Sequence, residues 1–123
     1  MPLVFSSVHR PTDTQELNQE WFVVENTGPN AISTHGCELT VAAPKGRPRP
    51  LLTMEPGFLL QPNEKIRLVT GSPAKKSQGA PPDEKDAKNY HLCLREAVLG
   101  KSGTTVRIAR GQMELAKVVY QKS

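Results

Sequence analysis

EWFVVENTGPN, residues 20–30, decides how this chain is read. Trp21, Phe22, Val23 and Val24 suit a pleated strand, and Asn26-Thr27-Gly28-Pro29-Asn30 then supplies a dense run of turn formers. The strand is expected to stop there, reverse, and pair with the next strand, burying alternate side chains against a second sheet. In that register Phe22 and Val24 face the core. Trp21 and Val23 then lie on the opposite face, where Trp21 is partly exposed unless a loop or the N-terminal strand covers it.

The same period of two recurs along the chain, with Gly and Pro between the pieces. In CELTVAA (37–43) Cys37, Leu39 and Val41 share one face, Glu38 and Thr40 the other, and PKGRPRP (44–50) ends the run. Leu51 and Leu52 precede a Pro56-Gly57 turn, Phe58 to Leu60 precede QPNE (61–64), and from Lys65 to Thr70 the apolar Ile66 and Leu68 alternate with Lys65 and Arg67. YHLCLRE (90–96), TTVRIAR (104–110) and MELAKVVY (113–120) complete the set. LCLREAVLG (92–100) fits a short helical turn as well as a strand. Seven to nine short strands punctuated in this way predict an all-β, antiparallel β-sandwich or barrel.

GSPAKKSQGAPPDEKDAKN, residues 71–89, holds no apolar side chain larger than Ala and mixes both charge signs. It reads as a long loop, either a solvated excursion between strands or an element that orders on a partner. Neither flank carries enough strands to fold alone, so residues 1–123 are expected to form a single domain. That length suffices for one core without disulfide or metal support. Eleven Pro and nine Gly would interrupt any long helix.

Cys37 and Cys93 form no C-x-x-C pair, and both are expected to be reduced, shielded thiols on strand faces. The N-terminus, MPLVFSSVHRP, lacks the basic and apolar regions of a signal peptide, and no apolar run reaches the ~20 residues of a membrane span. A soluble, cytoplasmic or otherwise intracellular protein is the expectation.

Three stretches together resemble the lamin tail domain, over about residues 4–121 and in the family's order. EWFVVENTG is similar to its opening core strand and Asn-x-Gly turn, with Gly36-x-x-Leu39 at the start of the next strand. FLLQPNEKIRLVTGS is similar to its Phe-x-Leu, Pro-containing turn and following strand, and SGTTVRIARGQMELAKVVY to its Gly-Thr strand, Gly turn and closing strand. Cys37 stands where that family often has a Trp. The resemblance implies an immunoglobulin-like sandwich acting as a non-enzymatic interaction or structural module.

The residues themselves point to no reaction. Gly100-Lys101-Ser102 copies the end of a phosphate-binding loop, but Arg95 stands where its first Gly belongs and a strand, not a helix, should come next. His9, His35 and His91 are too scattered for a helical or hairpin metal pair, and no nucleophile elbow or Cys/His arrangement stands out. Neither an enzyme nor a cofactor or metal is expected. The candidate binding residues are Trp21 and the cations Lys45, Arg47, Arg49, Lys65, Arg67 and Arg107, the first three in one Pro/Gly loop and the last three on strand positions facing away from the core. With 16 Lys and Arg against 12 Asp and Glu, the net charge of +4 favours acidic partners only modestly. The expected partner is another protein. The alternative is nucleic acid bound without sequence preference, which requires the loop and the strand cations to share one side of the molecule.

Overall fold

The computed structural model describes residues 3–10, 15–99 and 102–121, and it is nearly all β. The strands are β1 (Leu3–His9), β2 (Trp21–Asn26), β3 (Ile32–Ser33), β4 (Glu38–Ala42), β5 (Arg49–Thr53), β6 (Leu59–Leu60), β7 (Lys65–Val69), β8 (Lys88–His91), β9 (Thr105–Arg110) and β10 (Met113–Val119). Ten strands exceed the expected seven to nine because β3 and β6 are only two residues each. No α-helix occurs among the described residues; two single 3-10 turns lie at Leu17–Gln19 and Lys76–Gln78.

Two four-stranded sheets form the layers, in the orders β1-β2-β7-β8 and β10-β9-β4-β5, and β3 pairs with β6 in a small third sheet. We call the first two the front and back sheets. Period-two alternation turns Phe22, Val24 and Leu68 of the front sheet toward Leu39, Val41, Val106, Ile108 and Ala116 of the back sheet, all buried. Each of the larger side chains contributes about 1.5–3 kcal/mol on burial. Cys37 lies in the same core, fully enclosed.

All pairings are antiparallel except β7 with β8, which run parallel, so the expectation of a purely antiparallel sandwich is corrected at one edge. The chain leaves β7, loops out through residues 70–87 and returns alongside in the same direction. Parallel neighbours need such a crossover, which the long polar segment supplies.

The turn after β2 also differs from expectation. It is not a hairpin: β2 pairs with β1 and β7, and the chain passes instead to β3 at the corner between the sheets. Asn26, fully buried, holds that corner. Its amide donates to the carbonyls of Asn30 (2.8 Å) and Leu60 (3.0 Å), and its side-chain oxygen accepts from Gly28 N (2.9 Å). Turn-forming residues stop the strand as read, but their hydrogen bonds redirect the chain rather than fold it back.

Residues 92–99 are neither strand nor helix. They supply Leu92, Val98 and Leu99 to the core and are fixed by a carboxylate with no solvent exposure, Glu20. Glu20 accepts hydrogen bonds from Thr70 Oγ1 (2.6 Å), Val98 N (2.8 Å) and Leu99 N (3.0 Å). Two backbone amides that no strand satisfies thereby gain a partner inside the protein.

Candidate interaction surfaces

The outward face of the front sheet is covered at its centre, over β2 and the end of β7, while Val4, Lys65 and Lys88 stay exposed. On β2 and β7, Val23, Arg67 and Val69 point away from the core, yet all three are buried. Their cover comes from the turn at Leu17–Gln19 and from the segment read as a loop, residues 71–89. Asn18, itself buried, donates to the carbonyls of Ser72 and Gly79 (both 2.9 Å), and the buried Gln78 accepts from Ser72 N (2.7 Å). Gln19 Nε2 donates to Ala80 O. The segment is thus packed down on the sheet by side-chain-to-backbone bonds, and its last residues, from Lys88, form the start of β8. Among residues 71–87 only Gly71, Gln78 and Ala87 are buried and most of the others are exposed, so the segment is a solvent-facing loop tied to the sheet at a few points.

Arg67 is the pin at the centre. Its Nη1 donates to Asp83 O (2.8 Å) and to Asn89 Oδ1 (2.9 Å), while Asn89 Nδ2 donates onward to Pro82 O (2.7 Å). The guanidinium carbon also stands 5.3 Å from the centre of the Trp21 ring. The indole is stacked by His9 as well, with ring centres 4.1 Å apart and planes 10° apart. His9 is held in turn by Nδ1, which donates to Gln19 O at 2.6 Å. Trp21 is therefore half-buried between two side chains, and the N-terminal strand does cover it, as one of the sequence alternatives allowed. The indole is already engaged and offers a ligand no free stacking platform.

A shallow groove of about 360 Å³ remains on this face, bordered by Trp21, Lys65, Arg67 and Asp86. Three of the sequence candidates, Trp21, Lys65 and Arg67, thus meet, with Lys65 paired across the strands to Glu25.

The back sheet is bare. None of the outward residues of β4, β9 and β10 is buried. Arg107 stands opposite Thr40 and Lys117, and its Nε lies 2.5 Å from Glu114 Oε1 in the one ion pair among the described residues. Arg107 is on the opposite layer from Lys65 and Arg67. The six cations proposed from sequence do not share one side.

Lys45, Arg47 and Arg49 belong to a third place, the β4–β5 hairpin at the free edge of the back sheet. Its tip is a four-residue turn closed by Gly46 N donating to Ala43 O (2.8 Å), with Pro44 second and Lys45 third at φ 61°. Proline suits the second position, and the third takes a positive φ that Gly or Asn usually supplies. All three cations are exposed, and none makes an ion pair or side-chain hydrogen bond among the described residues. Beside the hairpin, Arg49, Pro50 and Leu51 face Leu94, Arg95 and Val98 across a groove of about 230 Å³.

The remaining sequence candidates scatter. His91 bonds through Nδ1 to Gly71 O (3.0 Å), far in role from His9, and His35 contributes a carbonyl near Arg110. No group of three His, Cys, Asp or Glu could hold a metal ion among the described residues. Gly100 and Lys101 of the phosphate-loop reading lie outside the described residues; from Ser102 the chain runs through a turn into β9, a strand. Cys93 corrects the expectation of two shielded thiols: it is exposed, just beyond β8, with φ 54°. A positive φ breaks the strand there, so no sheet face shelters the thiol.

Sequence reasoning missed Glu20 and Asn18, whose roles depend on backbone groups remote in the chain. It also missed a legible clue. Trp-Phe-Val-Val is a continuous apolar run rather than a strict alternation, the pattern of a strand covered on both faces.

No family model and no curated protein sequence matches the chain. No helix among the described residues is long and apolar enough to cross a membrane.

Proposed function

We propose that this chain is a non-enzymatic interaction module of lamin-tail type whose partner is a protein. The lamin-tail part of the reading is supported by where the three resembling stretches fall: on β2 and its corner, on β6 to β7, and on β9 to β10, among them the central strands β2, β7 and β9. The protein-partner part rests on one observation, the separation of the cations. A duplex is held by a row of basic side chains along one face. Here Lys65 and Arg67 belong to the front sheet, Arg107 to the back sheet, and Arg67 and Arg107 are already engaged within the protein.

The hairpin cations, unpaired among the described residues, favour a second reading: nucleic acid gripped at that edge without sequence preference. Anisotropy titration with labelled duplex DNA separates the two. A protein module binds duplex no better than the non-specific range, ~10⁻⁴–10⁻⁶ M at physiological salt. It also captures a discrete protein from native lysate whether or not nuclease is added. Sub-micromolar duplex binding, steeply weakened by salt and lost on replacing Arg47 and Arg49 with Ala, would establish the second reading instead.

A further inference from the structure

We propose that the β4–β5 hairpin and the groove beside it receive an extended acidic segment of the partner protein, one that carries an aliphatic side chain among its carboxylates. This rests on the protein-partner reading and adds the chemistry of the partner.

Charge selects the sign of the partner. Between Leu39 and Met54 the chain holds three cations and no carboxylate, and all three cations are exposed with no ion pair among the described residues. Other arginines are used within the protein: Arg67 on the covering segment, Arg107 on Glu114, Arg110 on the carbonyls of Ser33 and His35. Arg95 approaches from the other wall of the groove, with Glu96 as its one acidic neighbour there. The excess positive charge therefore lies on the hairpin side, with Arg95 and Glu96 offsetting each other across the groove.

Shape narrows the occupant. Leu51, Leu94 and Val98 give the groove apolar lining, and its volume of about 230 Å³ is below the ~300–1,000 Å³ of sites for whole small molecules. It fits a side chain rather than a ligand. Pro44, Pro48 and Pro50 fix φ at three of the seven positions from 44 to 50, so little ordering remains to be done when the partner arrives. Pro50 has no N–H to offer, which argues against simple strand addition along β5 and in favour of recognition by side chains. A nucleic acid fits less well, because no aromatic residue lines the groove for a base to stack on.

The test is anisotropy titration of the whole chain with a fluorescein-labelled peptide alternating Glu and Leu. Polyglutamate of equal length, a Lys–Leu peptide and an oligothymidylate serve as comparators. The Glu–Leu peptide is expected to bind best. Replacing both Arg47 and Arg49 with Ala should weaken it roughly tenfold, since exposed ion pairs contribute up to ~1 kcal/mol each. Arg95→Glu should weaken it further. Lys117→Glu, an equal charge change three strands away from β5, should alter it by less than about twofold, because three strand spacings of ~4.8 Å exceed the Debye length of ~8 Å at physiological salt. All four positions are exposed, and far-ultraviolet spectra would verify that each variant folds. Equal loss in Lys117→Glu, or equal affinity for polyglutamate, would overturn the proposed site. So would failure to bind the peptide when Arg47/Arg49 variants still capture the lysate protein, an outcome that leaves the protein-partner reading standing. Tighter binding to oligothymidylate, lost with Arg47 and Arg49, would overturn both.

Discussion

The two outer faces of the sandwich are built from similar strands and have opposite fates. On the front sheet Val23, Arg67 and Val69 point outward and are buried; on the back sheet Thr40, Arg107 and Lys117 point outward and remain in contact with solvent. The difference lies in what the chain does after the strand. Behind β7 it makes a parallel crossover, and residues 71–87 are tied back to the sheet through Asn18 and Arg67. Behind β4 and β9 it makes hairpins that turn at the edge and leave the face open. An arginine on one face is thereby a structural pin, and an arginine on the other is half of a surface ion pair.

If that contrast is right, Arg67→Ala is the most damaging change among those that spare the core. It removes hydrogen bonds from a buried cation to Asp83 O and Asn89, and a loss of about 2–3 kcal/mol is expected in urea unfolding. Amide exchange in residues 80–89 should accelerate more than exchange in β9. A variant as stable as the parent would break the idea that the arginine holds the cover.

Gly71→Ala tests the same cover from the backbone. A Cβ there would meet Asn18 Oδ1 at 2.5 Å and Asn18 N at 2.9 Å, so the covering segment must lift or the turn at Leu17–Gln19 must shift. Overpacking of this kind costs about 1–3 kcal/mol. The expected signature is increased quenching of Trp21 fluorescence by acrylamide, as the contacts around the indole loosen.

The bare face should respond far less. Arg107→Ala breaks an ion pair whose side chains are 37% and 30% exposed, and the loss should not exceed about 1 kcal/mol, falling further at high salt. A loss as large as that of Arg67→Ala would erase the distinction between the faces.

The thiols mark where shelter ends, with no energetic effect at all. Cys93 should react promptly with a thiol reagent in the native protein, and Cys37 only after unfolding. Mass spectrometry of the labelled chain would separate the two; prompt labelling of Cys37 would mean that the core opens at the start of β4.

Strand positions were legible from sequence because the alternation of Leu39 and Val41, of Ile66 and Leu68, and of Val106 and Ile108 is a local consequence of one face being buried. The stop at Asn26 was legible for the same reason, since turn chemistry acts over a few residues. The hairpin cations were legible as a group because they are close in the chain. Arg67 and Arg107 could not be told apart, as each alternates with apolar neighbours in the same way.

What the sequence by itself determined, then, is a β-sandwich: alternation and punctuation are short-range properties, and they leave few other ways to bury the apolar face. What only the tertiary structure decided is which outer face is covered, where the chain goes after Asn26, and that Glu20 spends its carboxylate on amides of Val98 and Leu99. Those outcomes depend on groups distant in the chain being brought within hydrogen-bonding reach, as Glu20 and Leu99 are, 79 residues apart. A residue's composition and spacing carry no record of such a partner, because the partner is chosen by the packing of the sheets and not by the neighbours on either side.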